Sequence, residues 1–379
     1  MSVHQFSFPT KIHFGAGARR MLAAHLKSVG VKRPLIVTDR GVADLAIASE
    51  LYEELEKADL SPHLFSGVHG NPGASQVVAG VAAFKAHFAD AVVGFGGGAA
   101  LDVAKVVVLM TCHEGEVLEY AWDHPKVRSI TQALPHFVAL PTTSGTGSEV
   151  GRSAVISDEA THVKKIIFSP ALLAKAVFAD PELTLDLPAK ITAATGMDAL
   201  THNIESYLSP AYHPLCDGIA LEGARIGARS LLSAVRNGQS MPARSDMMMS
   251  SLMGAIAFQK DLGAVHSCAH ALSAVCDLHH GLANGIMIDR VMQFNADAAP
   301  AKLAELARVC GAGTNSAHFI GWLQKLKGEI EIPDKLRAVG VKSGDIPALV
   351  EVALADPCHR TNPKACTRVD FERLFAEAL

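Results

Sequence analysis

The chain has 379 residues, of which 49% are hydrophobic and 19% charged, and its formal net charge at neutral pH is −4. That length exceeds one simple core and predicts two domains, while a near-balanced charge without a basic stripe excludes a nucleic-acid binder. The most apolar window, residues 91–110, is broken by glycines, Asp102 and Lys105, so it does not reach the roughly 20 uninterrupted apolar residues of a membrane helix.

The opening stretch, MSVHQFSFPTKIHFGAG, mixes polar and apolar residues without the apolar centre or cleavage site of a secretory signal. From there short β-branched runs alternate with helical patterns. PLIVTD (34–39) predicts a buried strand, and 43–60 a helix. HLFSG (63–67) predicts a second strand and 74–88 a second helix. AVVGFGGG (91–98) is a third strand running into glycines, followed by a helix over 99–111, and FVALPTT (137–143) is a fourth strand. Such alternation implies a parallel sheet covered by helices on both faces. Past Pro181 and Pro188 nearly every signal is helical, as in 187–209, LEGARIGARSLLSAVRN, MMMSSLMGAIAFQ and AKLAELARVCG. The expected division is an α/β domain over 1–185 and an all-α domain over 186–379. The seven cysteines are widely spaced, odd in number and without a C-x-x-C pair, which predicts reduced thiols in a cytoplasmic protein.

Three loops after strands carry candidate nucleotide chemistry. Gly94, Gly96, Gly97 and Gly98 lie between a strand and a helix, where glycine lets backbone approach a phosphate and the helix start offers free N–H groups. A tight strand–helix turn uses glycines in the same way without any ligand. Asp39 ends the first strand, where a carboxylate accepts hydrogen bonds from a ribose diol. LPTTSGTGSEV (140–150) supplies Thr142, Thr143 and Thr146, which singly read as ordinary turn residues. Together the three loops point to a nucleotide crevice at the carboxyl ends of parallel strands.

A second constellation lies in the helical half. Asp198 and His202 stand four apart in GMDALTHNIE, and His266 and His270 repeat that spacing in GAVHSCAHALSAVCDLHHG. On a helix this spacing places both members of a pair on one face. His279 and His280 precede Gly281, where the second helix is expected to end. One carboxylate with several imidazoles suits Fe(II), Zn(II), Co(II), Ni(II) or Mn(II) better than Ca or Mg. A single histidine more commonly serves as a hydrogen-bonded core residue; the repeated spacing is what points to a metal.

With these motifs the sequence resembles the iron-containing (group III) alcohol dehydrogenases, from FGAG near residue 14 to HRTNPK at residue 359. GFGGGAALDVAK, LPTTSGTGSEV, ADPELTLDLP, GMDALTHNIE, GAIAFQKDLGAVHSCAHAL and HHGLANG carry the resemblance in order and spacing. It implies a dinucleotide-binding α/β domain with a helical metal-binding domain, the architecture shared with dehydroquinate synthase. It further implies metal ligands Asp198, His202, His266 and His280, with iron the usual ion and Zn(II) accepting the same set. His280 rather than His279 is assigned because it directly precedes the glycine. The resemblance places His270 beside the nicotinamide and Asp39 at the position associated with NAD over NADP. Gly96, Gly97 and Gly98 match the pyrophosphate loop; Asp102, Thr142, Thr143, Thr146, Lys165 and Leu183 match nucleotide-site positions.

Three departures stand out. Ala99 occupies the usual serine position after the glycines, His279 replaces a common proline, and Asp289–Arg290 replaces a common Leu-Pro. Within the family, DGIALEG, AFQK, LHHG and CHRTNPK are most similar to bacterial 4-hydroxybutyrate dehydrogenases. A hydroxy acid needs a cation for its carboxylate, and Lys260, Arg152 and Arg290 are the candidates.

The expected activity is reversible hydride transfer between a small primary alcohol and NAD, by a homodimer or larger assembly without nucleic-acid or membrane partners. Glycerol-dehydrogenase-like, maleylacetate-reductase-like and dehydroquinate-synthase-like chemistry share the architecture. A non-catalytic nucleotide and metal sensor is the alternative from another class, against which the complete ligand set with His270 argues.

Overall fold

The structure, a computed structural model, describes Phe6, Phe8, Thr10–Thr161 and Val163–Leu379. The chain divides into two compact units. One runs from Thr10 to Thr143 and from Gly147 to Thr184; the other holds Leu185–Leu379 with the short segment Ser144–Thr146.

The first unit contains β1 (Lys11–Phe14), α1 (Leu22–Ser28), β2 (Pro34–Asp39), α2 (Arg40–Ala43), α3 (Ala46–Lys57), β3 (His63–Val68), α4 (Ala74–Ala86), β4 (Ala91–Gly96), α5 (Gly98–Met110), β5 (His136–Pro141), β6 (Ser153–Ser157), β7 (Lys164–Phe168) and β8 (Ala176–Ala179). Six strands form one sheet in the order β1-β8-β5-β4-β2-β3, and β6 pairs with β7 in a separate two-stranded sheet. Every pairing in the large sheet is parallel, and β4 is registered with β5 through Val92↔Phe137 and Val93↔Val138. All of AVVGFG in β4 is buried, as expected of a central parallel strand covered on both faces. The two faces separate by the strand's period of two. Val93 and Phe95 join Leu22, Leu26, Leu51 and Leu55 of α1 and α3 in one core. Gly94 points to the other face, where an added Cβ would meet Leu101 and Ala104 of α5.

The helix expected over 43–60 is interrupted, because Leu45 is extended with ψ 150° and α3 begins after it. β1 and β8, of four residues each, and the β6–β7 hairpin add to the four expected strands.

The second unit is helical: α6 (Ala189–Leu208), α7 (Pro214–Arg236), α8 (Met241–Ala257), α9 (Ala264–Cys276), α10 (His280–Asn295), α11 (Pro300–Val309), α12 (Ser316–Glu329), α13 (Ile346–Ala355) and α14 (Arg368–Ala378). α6 is its axis, packed by α7, α8 and α10. Its apolar stripe, Ala193, Met197, Leu200, Ile204 and Leu208, lies at helical spacing in the main core. Asp198, His202 and Glu205 form a second stripe at i, i+4 and i+7, and all three are buried.

The histidine-rich stretch is not one helix up to Gly281. α9 stops at Cys276, with Asp277 in the left-handed region at φ 52°, and α10 starts at His280 with His279 as its N-cap. His280 therefore opens a new helix. No helix of the described residues is long and apolar enough to cross a membrane.

Candidate metal centre and nucleotide site

In the helical unit the structure brings Asp198, His202, His266 and His280 together. Asp198 Oδ1 lies 3.9 Å from His202 Nε2, 3.8 Å from His266 Nε2 and 3.4 Å from His280 Nε2. These separations are too long for hydrogen bonds. They are near the spacing of donors around one ion, since atoms about 2.1 Å from a tetrahedral centre stand about 3.4 Å apart, and Asp198, His202 and His266 each offer a ligand atom within 4.8 Å of the others. The carboxylate and the three imidazoles thus fit a divalent ion. Burial pushes the His202 imidazole down to about 4, which keeps it neutral near pH 7 with a free lone pair.

Close backbone packing makes this convergence possible. A Cβ on Gly281 would sit 2.8 Å from the Ala194 carbonyl carbon and 3.2 Å from the Asp198 Cβ. Glycine there lets the first turn of α10 lie against α6, which carries His280 to Asp198.

Residues outside the expected set hold the ligands. Asn284, one turn after His280 on α10, donates from Nδ2 to Asp198 Oδ1 at 2.7 Å. Glu205 accepts from Val265 N at 2.7 Å, His266 N at 3.2 Å and His266 Nδ1 at 2.6 Å. Both lie within quoted motifs, GMDALTHNIE and HHGLANG, and share a helix face with an assigned ligand. That helical spacing was the available signal.

His270 stands beside the cluster, its ring stacked on His280 at a centroid separation of 5.1 Å. Its Nδ1 lies 2.7 Å from Asp356 Oδ2. Asp356 also accepts from Ser267 Oγ at 2.7 Å and Cys358 N at 2.9 Å. Burial alone would raise the Asp356 carboxyl, but the His270 charge and hydrogen bond, with those from Ser267 and Cys358, outweigh it and hold the group below the usual carboxylate range. An ionised carboxylate only accepts, so the bond to Asp356 keeps a proton on His270 Nδ1 and leaves Nε2 as the ring nitrogen available for proton exchange.

In the α/β unit, Asp39, Gly96, Gly97, Gly98, Thr142 and Thr143 gather where β2, β4 and β5 end. Asp39 caps α2 by accepting from Val42 N at 2.9 Å, and it lines an open pocket of about 310 Å³ with Arg40, Gly41, Val68, His69 and Ala99. Gly96 has φ 150°, and a Cβ there would lie 2.7 Å from Ala100 Cβ and 3.1 Å from Asp39 Oδ2. Only glycine fits this turn. Gly98 begins α5 with Gly97 as N-cap and no side-chain cap, so the helix start keeps its N–H groups for a ligand. Thr142 N donates to Gly96 O at 3.0 Å, pinning the threonine loop to the glycine turn.

Four matched residues are placed differently. Asp102 spends its carboxylate inside the unit, accepting from Ser148 Oγ at 2.6 Å and Val155 N at 3.0 Å, and so braces the loop after β5. Lys165 donates to Asp123 at 2.7 Å from the β7 hairpin. Leu183 is buried in the sheet core, which leaves its backbone as the part able to face a ligand. Thr146 belongs to the helical unit, because its neighbour Gly145 packs against Thr195 of α6, a Cβ there lying 2.8 Å from the Thr195 Cβ.

The cations considered for a substrate carboxylate have other partners. Lys260 is buried and donates to Asp217. Arg290 donates to Asp334 at 3.1 Å and to Asp289 at 3.2 Å. Arg152 lies over the Phe168 ring, 5.5 Å from its centroid. All seven cysteines are unpaired.

Known proteins are similar to this chain over its whole length. Residues 9–181 match the family described as iron-containing alcohol dehydrogenase, and residues 192–379 match its C-terminal part. A 4-hydroxybutyrate dehydrogenase of Cupriavidus necator is 37% identical over 381 residues, covering 98% of both chains. The crystal structure of a 1,3-propanediol oxidoreductase superimposes with a TM-score of 0.94 at 34% identity over the full length of both chains. A sulfoacetaldehyde reductase of Bifidobacterium kashiwanohense, solved in complex with NAD+, gives a TM-score of 0.90 at 27% identity, covering 100% of this chain and 99% of that one. With both halves matched and the relatives covered end to end, the chain belongs to the iron-containing alcohol dehydrogenase family.

Proposed function

We propose that the protein is a metal-dependent, NAD-linked dehydrogenase that interconverts a small primary alcohol and its aldehyde. The convergence of Asp198 with three imidazole Nε2 atoms carries this reading: Asp198, His202 and His266 are buried, His280 is half-buried, and all three imidazoles stand 3.4–3.9 Å from the carboxylate. Asp198, His202, His266 and His280 hold the ion, Fe(II) by family and Zn(II) by the same ligand chemistry. When bound, the ion acts as a Lewis acid that lowers the pKa of an alcohol hydroxyl, and NAD supplies the hydride acceptor.

The chain's own residues do the rest. Asp39 accepts from the ribose hydroxyls and its charge disfavours a 2′-phosphate. Backbone N–H groups at Gly97 and Gly98 and the start of α5 receive the pyrophosphate, with Ala99 contributing no hydroxyl. Thr142 and Thr143 shape the adjoining loop, Asp102 holds it, and Thr146, Lys165 and the Leu183 backbone are further nucleotide contacts. His270, oriented by Asp356, takes up the alcohol proton at Nε2 and releases it.

The 37% identity to a 4-hydroxybutyrate dehydrogenase favours a hydroxy acid. The internal partners of Lys260 and Arg290 favour an uncharged alcohol or diol. An NADH-absorbance assay on Fe(II)- or Zn(II)-reconstituted protein, with ethanol, 1,3-propanediol and 4-hydroxybutyrate, separates the two. Turnover that requires the metal establishes the dehydrogenase, and the ranking identifies the substrate class. Silence with every alcohol and aldehyde, while metal and NAD both bind, refutes it in favour of a lyase or sensor.

The unpaired cysteines support a cytoplasmic location. Among the described residues β1 is an edge strand of the large sheet, with Phe14 39% exposed, which supports assembly as a dimer or larger oligomer. Light scattering after size exclusion tests the latter.

A further inference from the structure

The stripe on α6 extends one step beyond the expected ligands. Glu205 follows Asp198 and His202 on the same face and is 2% exposed. Its carboxylate receives three hydrogen bonds from the start of α9, two from backbone and one from His266 Nδ1 at 2.6 Å. Both oxygens are engaged: Oε1 takes Val265 N, and Oε2 takes His266 N and Nδ1. The imidazole is thus locked at its backbone and its ring, with Nε2 turned toward Asp198.

Charge points the same way. A divalent ion held by one carboxylate and three neutral imidazoles keeps one net positive charge. A buried carboxylate is costly unless something compensates it. Among the described residues the ion-pair partner of Glu205 is His266, whose far nitrogen faces the ion site. An ion there balances Glu205 through the imidazole, and Glu205 brings the loaded centre to neutrality. Carboxylate–histidine–metal chains of this kind raise ligand basicity and fix the ring.

We propose that Glu205 is a positioning residue of the metal centre. It sets the tautomer and orientation of His266 and neutralises the residual charge of the bound ion. This rests on the metal reading above, and the test keeps the two apart. Metal-free wild-type protein, Glu205→Gln and Glu205→Asp are titrated with Co(II) against a competing chelator, and the visible Co(II) spectrum is recorded. Circular dichroism and thermal unfolding of the metal-free forms report the helix-capping role separately. Wild type is expected to bind one Co(II) per chain. Glu205→Gln is expected to bind about 10–100-fold more weakly with an altered spectrum, while its metal-free form keeps its helical signal. Glu205→Asp keeps the charge but loses reach, and falls between the two; it gives the answer alone if Glu205→Gln does not fold. Affinities within about twofold of wild type with an unchanged spectrum overturn the proposal, and leave Glu205 as a cap of α9. Wild-type protein that binds no Co(II) overturns the metal reading itself and this inference with it.

Discussion

Gly281→Ala tests how the fold builds the metal centre. The new Cβ would lie 2.8 Å from the Ala194 carbonyl carbon. Carbon atoms rest at about 3.5–4.0 Å, so the first turn of α10 must withdraw from α6 by about 1 Å. His280 is the residue next door, and its Nε2 stands 3.4 Å from Asp198 Oδ1. A withdrawal of that size opens the gap well past the tetrahedral edge of about 3.4 Å. Overpacking of this kind costs about 1–3 kcal/mol, or about 2–4 °C of melting temperature per kcal/mol in a unit of this size. Ligand displacement adds a loss of metal affinity on the order of 10–100-fold, as for a disturbed ligand shell. Thermal unfolding of the metal-free protein reads the first effect and chelator competition with Zn(II) the second. A variant with wild-type melting temperature and wild-type Zn(II) affinity refutes the claim that this helix contact sets the position of His280.

Further outcomes follow from other residues. Burial raises the Glu149 carboxyl from 4.5 to about 7. The folded state therefore binds the extra proton between these values, and this group makes wild type less stable as pH rises through that window. Glu149→Gln is expected to gain on wild type from pH 4.5 to pH 7, by up to roughly 3 kcal/mol, and then level off; a pH-independent difference in urea unfolding contradicts the assignment. The depressed Asp356 carboxyl works in the opposite sense, stabilising the fold above the ordinary carboxylate pKa. The melting-temperature gap between wild type and Asp356→Asn is then full near pH 7 and shrinks as pH falls below about 4. Asp39→Gly is expected to shift the NADP-to-NAD ratio of kcat/KM at least tenfold toward NADP, since 1.4 kcal/mol of lost repulsion suffices. Glycine is tolerated as an N-cap, so α2 survives the change, and an unchanged ratio removes Asp39 from the ribose site.

The parts of this protein that were legible from sequence are those written in local periodicity. β2 and β4 read as buried strands because each carries an unbroken apolar run, PLIV and AVV, and Asp198–His202 and His266–His270 read as paired side chains because helices return every 3.6 residues. The break between α9 and α10 was not legible. It depends on Asp277 taking a left-handed conformation and on Gly281 fitting against Ala194, far away in the chain. Resemblance, and not spacing, therefore points to His280. Glu205 was in plain view three residues after His202, but its role depends on the start of α9 arriving against it, 60 residues later. Likewise the pairing of Lys260 with Asp217 spans 43 residues. β1 and β8 are not legible in the sequence because four residues carry too little pattern, and pairing with each other and of β8 with β5 gives them their place.

The central claim is that the Asp198–histidine cluster holds the ion on which alcohol oxidation depends. Its most direct test measures bound metal per chain and NADH formation together, in wild type and in His266→Ala, after reconstitution with Fe(II). The account predicts that the variant loses both while keeping its helical circular dichroism and its NAD binding. A metal-free His266→Ala protein that oxidises the alcohol at the wild-type rate would contradict it.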